Sequence, residues 1–401
     1  MSTPHTASDD PGTGFGAGVA QPRLLGVTPE EFAENYWGRK ALLSRQVADF
    51  SDLFSAAAVD ELLSRRGLRT PFLRMAKDGA TLADRSFTAP AGVGATIGDQ
   101  LDDTAIWRQF ADGATIVLQA LQRTWAPIGE FTSQLATELG HPVQANAYIT
   151  PRQNRGFDDH YDVHDVFVLQ IAGSKRWVIH EPVHPDPLRD QPWTDHRAAV
   201  AEAAQGEPVI DTMLQPGDCL YLPRGWLHAA QAQDEVSIHV TLGVHAWTRY
   251  AIAEELVQDA LTRLRDDPEA RQSLPIGVND PADVVDTVRK QLLAVLGESD
   301  PAPAFHRARN RQSRPGPLGP LAQQAAVDTL DESSMVRLRE SLAPRLDAPR
   351  LHTRVGWLDF EADELPAIQQ LLDGQPRAAG DIGLALTARL LRAGVAVPAT
   401  P

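Results

Sequence analysis

The sequence predicts an α+β protein in which a barrel or double-sheet roll of short strands is flanked by helices. Three observations predict it. Between about residues 143 and 246, short apolar runs alternate with Gly/Pro turns, the pattern of a closed or two-sheet antiparallel architecture. On both sides of that stretch apolar residues recur at the 3–4 spacing of a helix. Hydrophobic residues make up 43% of the 401. That is enough for a sizeable core and for two or three domains of roughly 150 residues each.

Taken in order, residues 1–22 are polar and glycine-rich and lack the basic start and apolar stretch of a signal peptide. They are expected as a disordered tail. Gly12-Thr-Gly-Phe-Gly16 has no strand before it, so it does not read as a nucleotide loop. Thr28 caps a helix with Glu31 in capping-box position, and Phe32, Tyr36 and Trp37 follow at helical spacing. A second amphipathic helix is expected near 55–65, and a strand running into the turn at Asp78-Gly79 within 68–90. Residues 115–140 read as helix, with Ile116, Leu118, Leu121, Phe131, Leu135 and Leu139 on the apolar side. Strands are expected over 146–150, 165–171, 219–222 and 236–244. Ala172-Gly-Ser-Lys175 reads as a hairpin turn with 176–180 as the return strand. Helices follow over 250–264 and 282–296. Residues 297–320 hold many Pro and Gly and four arginines (Arg307, Arg309, Arg311, Arg314), the composition of a linker or wrapping segment. Residues 365–372 and 382–391 form a compact pair, and 394–397 a wing strand.

The balance of 37 basic against 53 acidic residues gives a net charge of −16. That opposes a nucleic-acid coat, which needs a basic surface, and allows a basic protein or peptide as partner. The single cysteine, Cys219, cannot close an intramolecular disulfide; it follows a Pro-Gly-Asp turn on a core strand and reads as packing. No window approaches about 18 consecutive apolar residues, so no membrane span is expected. A cytoplasmic protein is the expectation.

Nine of the twelve histidines lie between His141 and His245. Within them stands His160-Tyr161-Asp162. On a strand, residues i and i+2 share a face, so the imidazole and the carboxylate converge. His228, at the end of Pro216-Gly-Asp-Cys-Leu-Tyr-Leu-Pro-Arg-Gly-Trp-Leu-His228, is the leading third ligand. Two histidines and a carboxylate on one face leave positions open for substrate and O₂, the facial triad of non-heme Fe(II) oxygenases, although the imidazoles suit Zn(II) as well. The bland alternative is a hydrogen-bonded His160–Asp162 pair. His164 lies roughly 13 Å from His160 along an extended strand, too far to share an ion, and reads as pocket wall.

At these residues the sequence resembles the JmjC-type 2-oxoglutarate oxygenases, in their cupin-like ribosomal oxygenase branch. The resemblance runs from Tyr36-Trp-Gly-Arg-Lys40 to the C-terminal end. It is strongest in Asn146-Ala-Tyr-Ile-Thr-Pro151, in His160-Tyr-Asp-Val-His-Asp165, in Gly173-Ser-Lys-Arg-Trp177 and in the segment ending at His228. The resemblance implies that His160, Asp162 and His228 bind Fe(II). It implies that Lys175 pairs with the distal carboxylate of the cosubstrate 2-oxoglutarate, that Thr241 helps hold that carboxylate, and that Asn146 lies near cosubstrate and metal. Tyr148 and Gln170 are candidate pocket liners, and Trp177 and Trp226 read as packing. His164 and Asp165 are expected close to the substrate mouth, with the loop over 181–207 shaping substrate choice.

The architecture implied by the resemblance is a double-stranded β-helix of the cupin/JmjC jelly-roll type over 23–246, a helical dimerisation-type module and linker over 247–320, and a winged-helix-like domain over 321–401. Residues 271–277 resemble a link within the helical part. The winged end shows no basic stripe, so protein packing is favoured over direct nucleic-acid binding. The implied activity is hydroxylation of a His- or Arg-type side chain of a ribosomal or other basic protein, by a homodimer. Two alternatives stay open at this point: a hydroxylase of a peptide natural product or small molecule, and a non-catalytic metal-binding cupin. Lysine demethylation by the same chemistry is less favoured.

Overall fold

The computed structural model describes residues 18, 20–92, 96–154, 157–277, 282–298, 302, 305 and 314–399. Most of the tail expected over 1–22, and three of the four linker arginines (Arg307, Arg309 and Arg311), lie outside them. The chain divides into two compact units between Ala246 and Trp247.

Among the described residues the first unit contains thirteen strands: β1 (Leu42–Ser44), β2 (Leu73–Lys77), β3 (Ala80–Thr81), β4 (Thr88–Ala91), β5 (Ile97–Leu101), β6 (Thr115–Leu118), β7 (Val143–Thr150), β8 (Asp165–Ala172), β9 (Lys175–His180), β10 (Ile210–Leu214), β11 (Cys219–Leu222), β12 (Leu227–Ala232) and β13 (Ser237–Val244). Eight of them form one antiparallel sheet in the order β1-β11-β8-β13-β7-β6-β2-β3, and three form a second, β10-β9-β12. The pair fits a jelly roll. Its helices are α1 (Pro29–Asn35), α2 (Ala56–Ser64), α3 (Asp103–Ala111), α4 (Leu121–Thr124), α5 (Ala126–Leu139) and α6 (Arg197–Ala203). The Thr28 and Ser55 hydroxyls cap α1 and α2 by accepting the N–H groups of Glu31 and Ala58.

Strand periodicity decides what lies where. On one face of β7 and β13, Ala145, Ala147, Ile149, Ile238, Val240 and Leu242 join the main core with Ile128, Phe131 and Leu135 of α5. Farther along the sheet, Val166, Val168, Leu220 and Leu222 pack on Trp177, Ile179 and Leu214 of the small sheet. The two sheets are thereby tied face to face.

Two expectations change here. Residues 115–118 are not helix but β6, paired with β2 and β7 and buried throughout. Thr-Ile-Val-Leu is a short, β-branched apolar run whose periodicity does not separate strand from helix; its place inside the sheet does. The helix proper starts after Ala120, whose φ is 53°. Second, 172–175 is not a hairpin turn. Strand β8 is already flanked by β11 and β13, so β9 pairs with β10 and β12 in the other sheet. The turn crosses between sheets, and Gly173 is required there: φ is +61°, and a Cβ would meet the Val236 carbonyl oxygen at 2.1 Å.

The second unit begins with α7 (Arg249–Leu264) and α8 (Ala282–Glu298), which contact each other. Then follow α9 (Pro320–Asp328), β14 (Met335–Leu338), the meander β15 (Arg345–Asp347), β16 (Arg350–Thr353) and β17 (Gly356–Asp359), α10 (Leu365–Leu371), β18 (Arg377–Ala378), α11 (Ala379–Ile382), α12 (Leu384–Arg392) and β19 (Ala396–Pro398). Its own core gathers Val336, Leu338, Leu351, Phe360, Ile368 and Leu390. Gly383, at φ 97°, splits the helix expected over 382–391 into α11 and α12. On α7 and α8, Val257, Leu261, Val285, Val288 and Leu293 are exposed.

Candidate metal centre

His160 and His228 face each other across a single antiparallel bridge. Each backbone N–H donates to the other residue's carbonyl, at 3.2 and 2.9 Å. The residues His160 to Asp162 are therefore not in a regular strand, but this bridge gives them strand-like alternation. The Asp162 carbonyl accepts from Gly225 N–H at 2.9 Å. Gly225 has φ +87°, and a Cβ there would meet the His184 carbonyl oxygen at 2.7 Å. The same turn is held from below by Asp165, fully buried, which accepts from Tyr221 Oη at 2.8 Å and Arg224 N–H at 3.0 Å. Burial pushes the Asp165 carboxyl up despite these bonds. Asp165 thus sits beneath the His228 turn and not at the mouth, contrary to expectation: as the first residue of β8 it points into the sheet's interior.

The result is one cluster. Ligand atoms of His160, Asp162 and His228 all lie within 4.8 Å of one another, and among the described residues no other three His, Cys, Asp or Glu side chains gather this way. The tautomers are set. His160 Nδ1 lies 2.7 Å from the Asp158 carbonyl oxygen, and His228 Nδ1 3.0 Å from that of Trp226. A carbonyl only accepts, so each Nδ1 carries the proton and each Nε2 keeps its lone pair for a metal. Burial, helped by His160, pulls the His228 imidazole down to about 4, the neutral form a ligand needs. Burial alone would raise Asp162, but His164, His228, His160 and Arg74 together hold its carboxyl below the usual range. Two imidazoles and one carboxylate fit a divalent ion of the Fe(II) type. His164 stands outside the cluster. Its Nε2 lies 3.2 Å from Gln144 Nε2 and its ring edges His245.

Lys175 is the first inward residue of β9, on the same side as Trp177 and Ile179, and is 3% exposed. Its Nζ donates to Thr150 Oγ1 at 3.0 Å, and among the described residues no carboxylate pairs with it. Burial alone pulls its ammonium down to about 7. A buried cation with one neutral hydroxyl is an open demand for an anion, as a bound dicarboxylate would satisfy.

The hydroxyl at Lys175 is thus Thr150's and not, as expected, Thr241's. In the register of β7 and β13, Thr150 faces Ser237, Tyr148 faces His239, Asn146 faces Thr241 and Gln144 faces Gly243. Thr241 is therefore four residues from the Lys175 end, roughly 13 Å along the strand. It lines, with Asn146, Tyr148, Asp162, His164, Arg74 and Arg123, a cavity of about 440 Å³. Asn146 also lies there, with its Oδ1 accepting from Ala120 N–H at 3.1 Å. Gln170 is not a liner; it bonds Ala172, Gly173 and Ser237.

Sequence reasoning missed Thr150 and His239. His239 is 3% exposed, lies flat on Tyr148 at 4.8 Å and meets Trp177 edge-on. Its Nδ1 is buried without a partner, and burial together with Lys175 keeps the ring neutral. The signal was present: on alternate positions, 146, 148 and 150 share a face, as do 237, 239 and 241.

Residues 123–252 match the JmjC domain model. Ribosomal oxygenase 1 of Homo sapiens is 31% identical over 261 residues, 62% of this chain and 38% of that protein. The bifunctional lysine-specific demethylase and histidyl-hydroxylase NO66 of Drosophila mojavensis is 29% identical over 259 residues, 63% of this chain and 28% of that protein. The chain thus spans less than half the length of these curated relatives. Escherichia coli ribosomal oxygenase YcfD superposes with a TM-score of 0.57 at 18% identity, covering 94% of this chain and 99% of that one. The same protein solved with cobalt and 2-oxoglutarate gives 0.56 at 18% identity, covering 94% and 99%. Residues 123–252 thus carry the likeness to a JmjC domain, and ribosomal oxygenases are among the proteins that this chain is similar to.

Proposed function

We propose that the protein is an Fe(II)- and 2-oxoglutarate-dependent oxygenase that hydroxylates a His- or Arg-type side chain of a ribosomal or other basic protein. The observation that carries the reading is the pairing of two features at one site: a three-ligand cluster of the facial-triad type, and a buried lysine with no anion of its own. His160, Asp162 and His228 would hold the metal; Lys175 and Thr150 would hold the distal carboxylate of the cosubstrate. Iron and cosubstrate, when bound, would activate O₂, one oxygen atom of which ends in the product alcohol and the other in succinate, with CO₂ released. The chain's own residues do the rest. The Nδ1 bonds of the two histidines fix the imidazoles, the aromatic wall of Tyr148 and Trp177 excludes water, and the cavity at Asp162 admits the substrate side chain.

The helical pair α7 and α8 favours a homodimer, because its exposed valines and leucines suit burial against a second copy. We read the unit's end, over 321–401, as winged-helix-like and packing against protein rather than nucleic acid. No described helix is long and apolar enough to cross a membrane, and a cytoplasmic site of action is part of the proposal.

The test is direct. Purified protein with Fe(II) should convert 2-oxoglutarate to succinate, and His160→Ala should not. Mass spectrometry of ribosomal proteins from cells with and without the protein should then show one oxygen gained on a specific residue. Equal succinate formation by wild type and His160→Ala would remove the metal assignment.

A further inference from the structure

The charges around the mouth do not match those of the chain. The protein carries −16 overall, yet the charged residues lining the cavity are Arg74, Arg123 and Asp162. Asp162 belongs to the metal cluster. What faces an incoming substrate is therefore cationic. Arg74 lies over the Phe157 ring at 5.2 Å and reaches the Tyr148 hydroxyl. Its Nε is buried with no hydrogen-bond partner. Arg123, at the end of α4, is exposed. A third arginine, Arg197, lies 4.6 Å over Trp193, whose ring in turn edges the metal-cluster histidine His160 at 6.3 Å.

Elsewhere in this unit Arg23, Arg45, Arg69 and Arg176 each pair with an aspartate. Among the described residues, Arg123 and Arg197 form no ion pair, and Arg74 forms none at contact distance, although its charge acts on Asp162. A guanidinium left without a carboxylate beside a metal cluster is a preformed fork for one. It also repels a cation approaching the same space.

We propose that the mouth takes a peptide segment bearing a carboxylate beside the acceptor side chain, held by Arg74 and Arg123, and that the acceptor itself is neutral rather than cationic. This rests on the oxygenase reading and narrows it. The partner protein can be basic as a whole, while the segment entering the mouth is locally acidic. A guanidinium acceptor would have to pass two arginines to reach the metal cluster; an uncharged acceptor passes without that repulsion.

Two random peptide libraries test the idea, one with histidine fixed at the centre and one with arginine. Each is incubated with the full-length protein, Fe(II) and 2-oxoglutarate, and members that gain one oxygen are sequenced by mass spectrometry. The wild type should enrich Asp and Glu over Lys and Arg beside the centre by roughly fivefold or more, and prefer the histidine library. Because the readout is a ratio within one library, a change in overall rate does not disturb it. Arg123→Glu, at an exposed position that folding tolerates, should reverse the ratio, and Arg108→Glu on α3 should leave it unchanged. Enrichment of basic neighbours, or a ratio that Arg123→Glu does not move, overturns the proposal. Succinate formation with no oxidised peptide in either library also overturns it while leaving the oxygenase reading intact. No succinate and no oxidised peptide removes both.

Discussion

Strands β7 and β13 present two faces that share a backbone and little else. One carries Ala145, Ala147, Ile149, Ile238, Val240 and Leu242, all buried in the main core. The other carries Gln144, Asn146, Tyr148 and Thr150 opposite Gly243, Thr241, His239 and Ser237. The first face supplies apolar burial; the second holds polar groups whose partners are incomplete, including a neutral histidine with an unpartnered nitrogen. The difference teaches that rigidity and chemistry are assigned here residue by residue, at period two. Changes of similar size on the two sides should then have opposite signatures, stability on one and binding on the other.

The largest effect belongs to the metal cluster. Asp162→Ala removes the cluster's one carboxylate but leaves the Gly225-to-Asp162 backbone bond in place. Succinate formation should fall by roughly a thousandfold or more, since several kcal/mol of transition-state stabilisation goes with the metal. Co(II) titration followed by absorbance should show binding lost, and thermal unfolding of the metal-free protein should be nearly unchanged. A collapse in stability would mean that this side chain belongs to the scaffold after all.

Lys175→Met separates binding from stability more sharply. Losing a charge-assisted contact of about 1.5–3 kcal/mol should raise the KM for 2-oxoglutarate by roughly 10- to 100-fold. The cosubstrate-free protein should melt at the same temperature or higher, because an unpaired buried ammonium has been replaced by an apolar chain of similar length. Leu242→Ala, on the opposite face of β13, should do the reverse. It should cost about 2–5 kcal/mol in stability, read by chemical denaturation. At temperatures where it is folded, its metal affinity should stay within a factor of about two of wild type.

The pH dependence follows from the same lysine. Burial sets its ammonium at about 7 in the empty site, so above that pH it is largely neutral, with neutral His239 beside it. A carboxylate bound there favours the charged form, so cosubstrate binding above pH 7 takes up a proton. Apparent affinity for 2-oxoglutarate should therefore weaken as pH rises through and beyond about 7. Calorimetry of the metal-loaded protein in buffers of different ionisation enthalpy should show uptake approaching one proton at higher pH. Lys175→Met should abolish the buffer dependence; a dependence that survives it assigns the proton elsewhere.

Much of this site was legible because its residues obey short-range rules. His160 and Asp162 share a face by spacing alone, and the segment ending in His228 carries Pro216, Gly217, Pro223 and Gly225, which mark its bends. Helices α1, α2 and α7 were readable from caps and periodicity. What was not legible was pairing between distant strands. Nothing local in Ala172-Gly-Ser-Lys175 says that the chain changes sheets there; that follows from β8 having both edges taken. The same crossing carries Lys175 to Thr150, 25 residues away in sequence. Thr115 to Leu118 failed for the complementary reason, since a four-residue apolar run has no period to read.

The smallest effect is the most discriminating for how the two faces are used. Thr150 and Thr241 lie on the same polar face, Thr150 facing Ser237 at the Lys175 end and Thr241 facing Asn146 at the mouth. Thr150→Val keeps the shape and removes the hydroxyl that Lys175 donates to. It should raise the KM for 2-oxoglutarate by a few-fold, the equivalent of about 0.5–1.5 kcal/mol for one hydrogen bond. It should lower the ammonium's affinity for its proton further, moving the pH midpoint of cosubstrate binding down. Thr241→Val should leave both quantities alone and alter only the turnover of a peptide substrate. If the two variants exchange phenotypes, the distal carboxylate sits at the mouth, Lys175 is not its partner, and the division between cosubstrate floor and substrate mouth along β7 and β13 must be drawn the other way round.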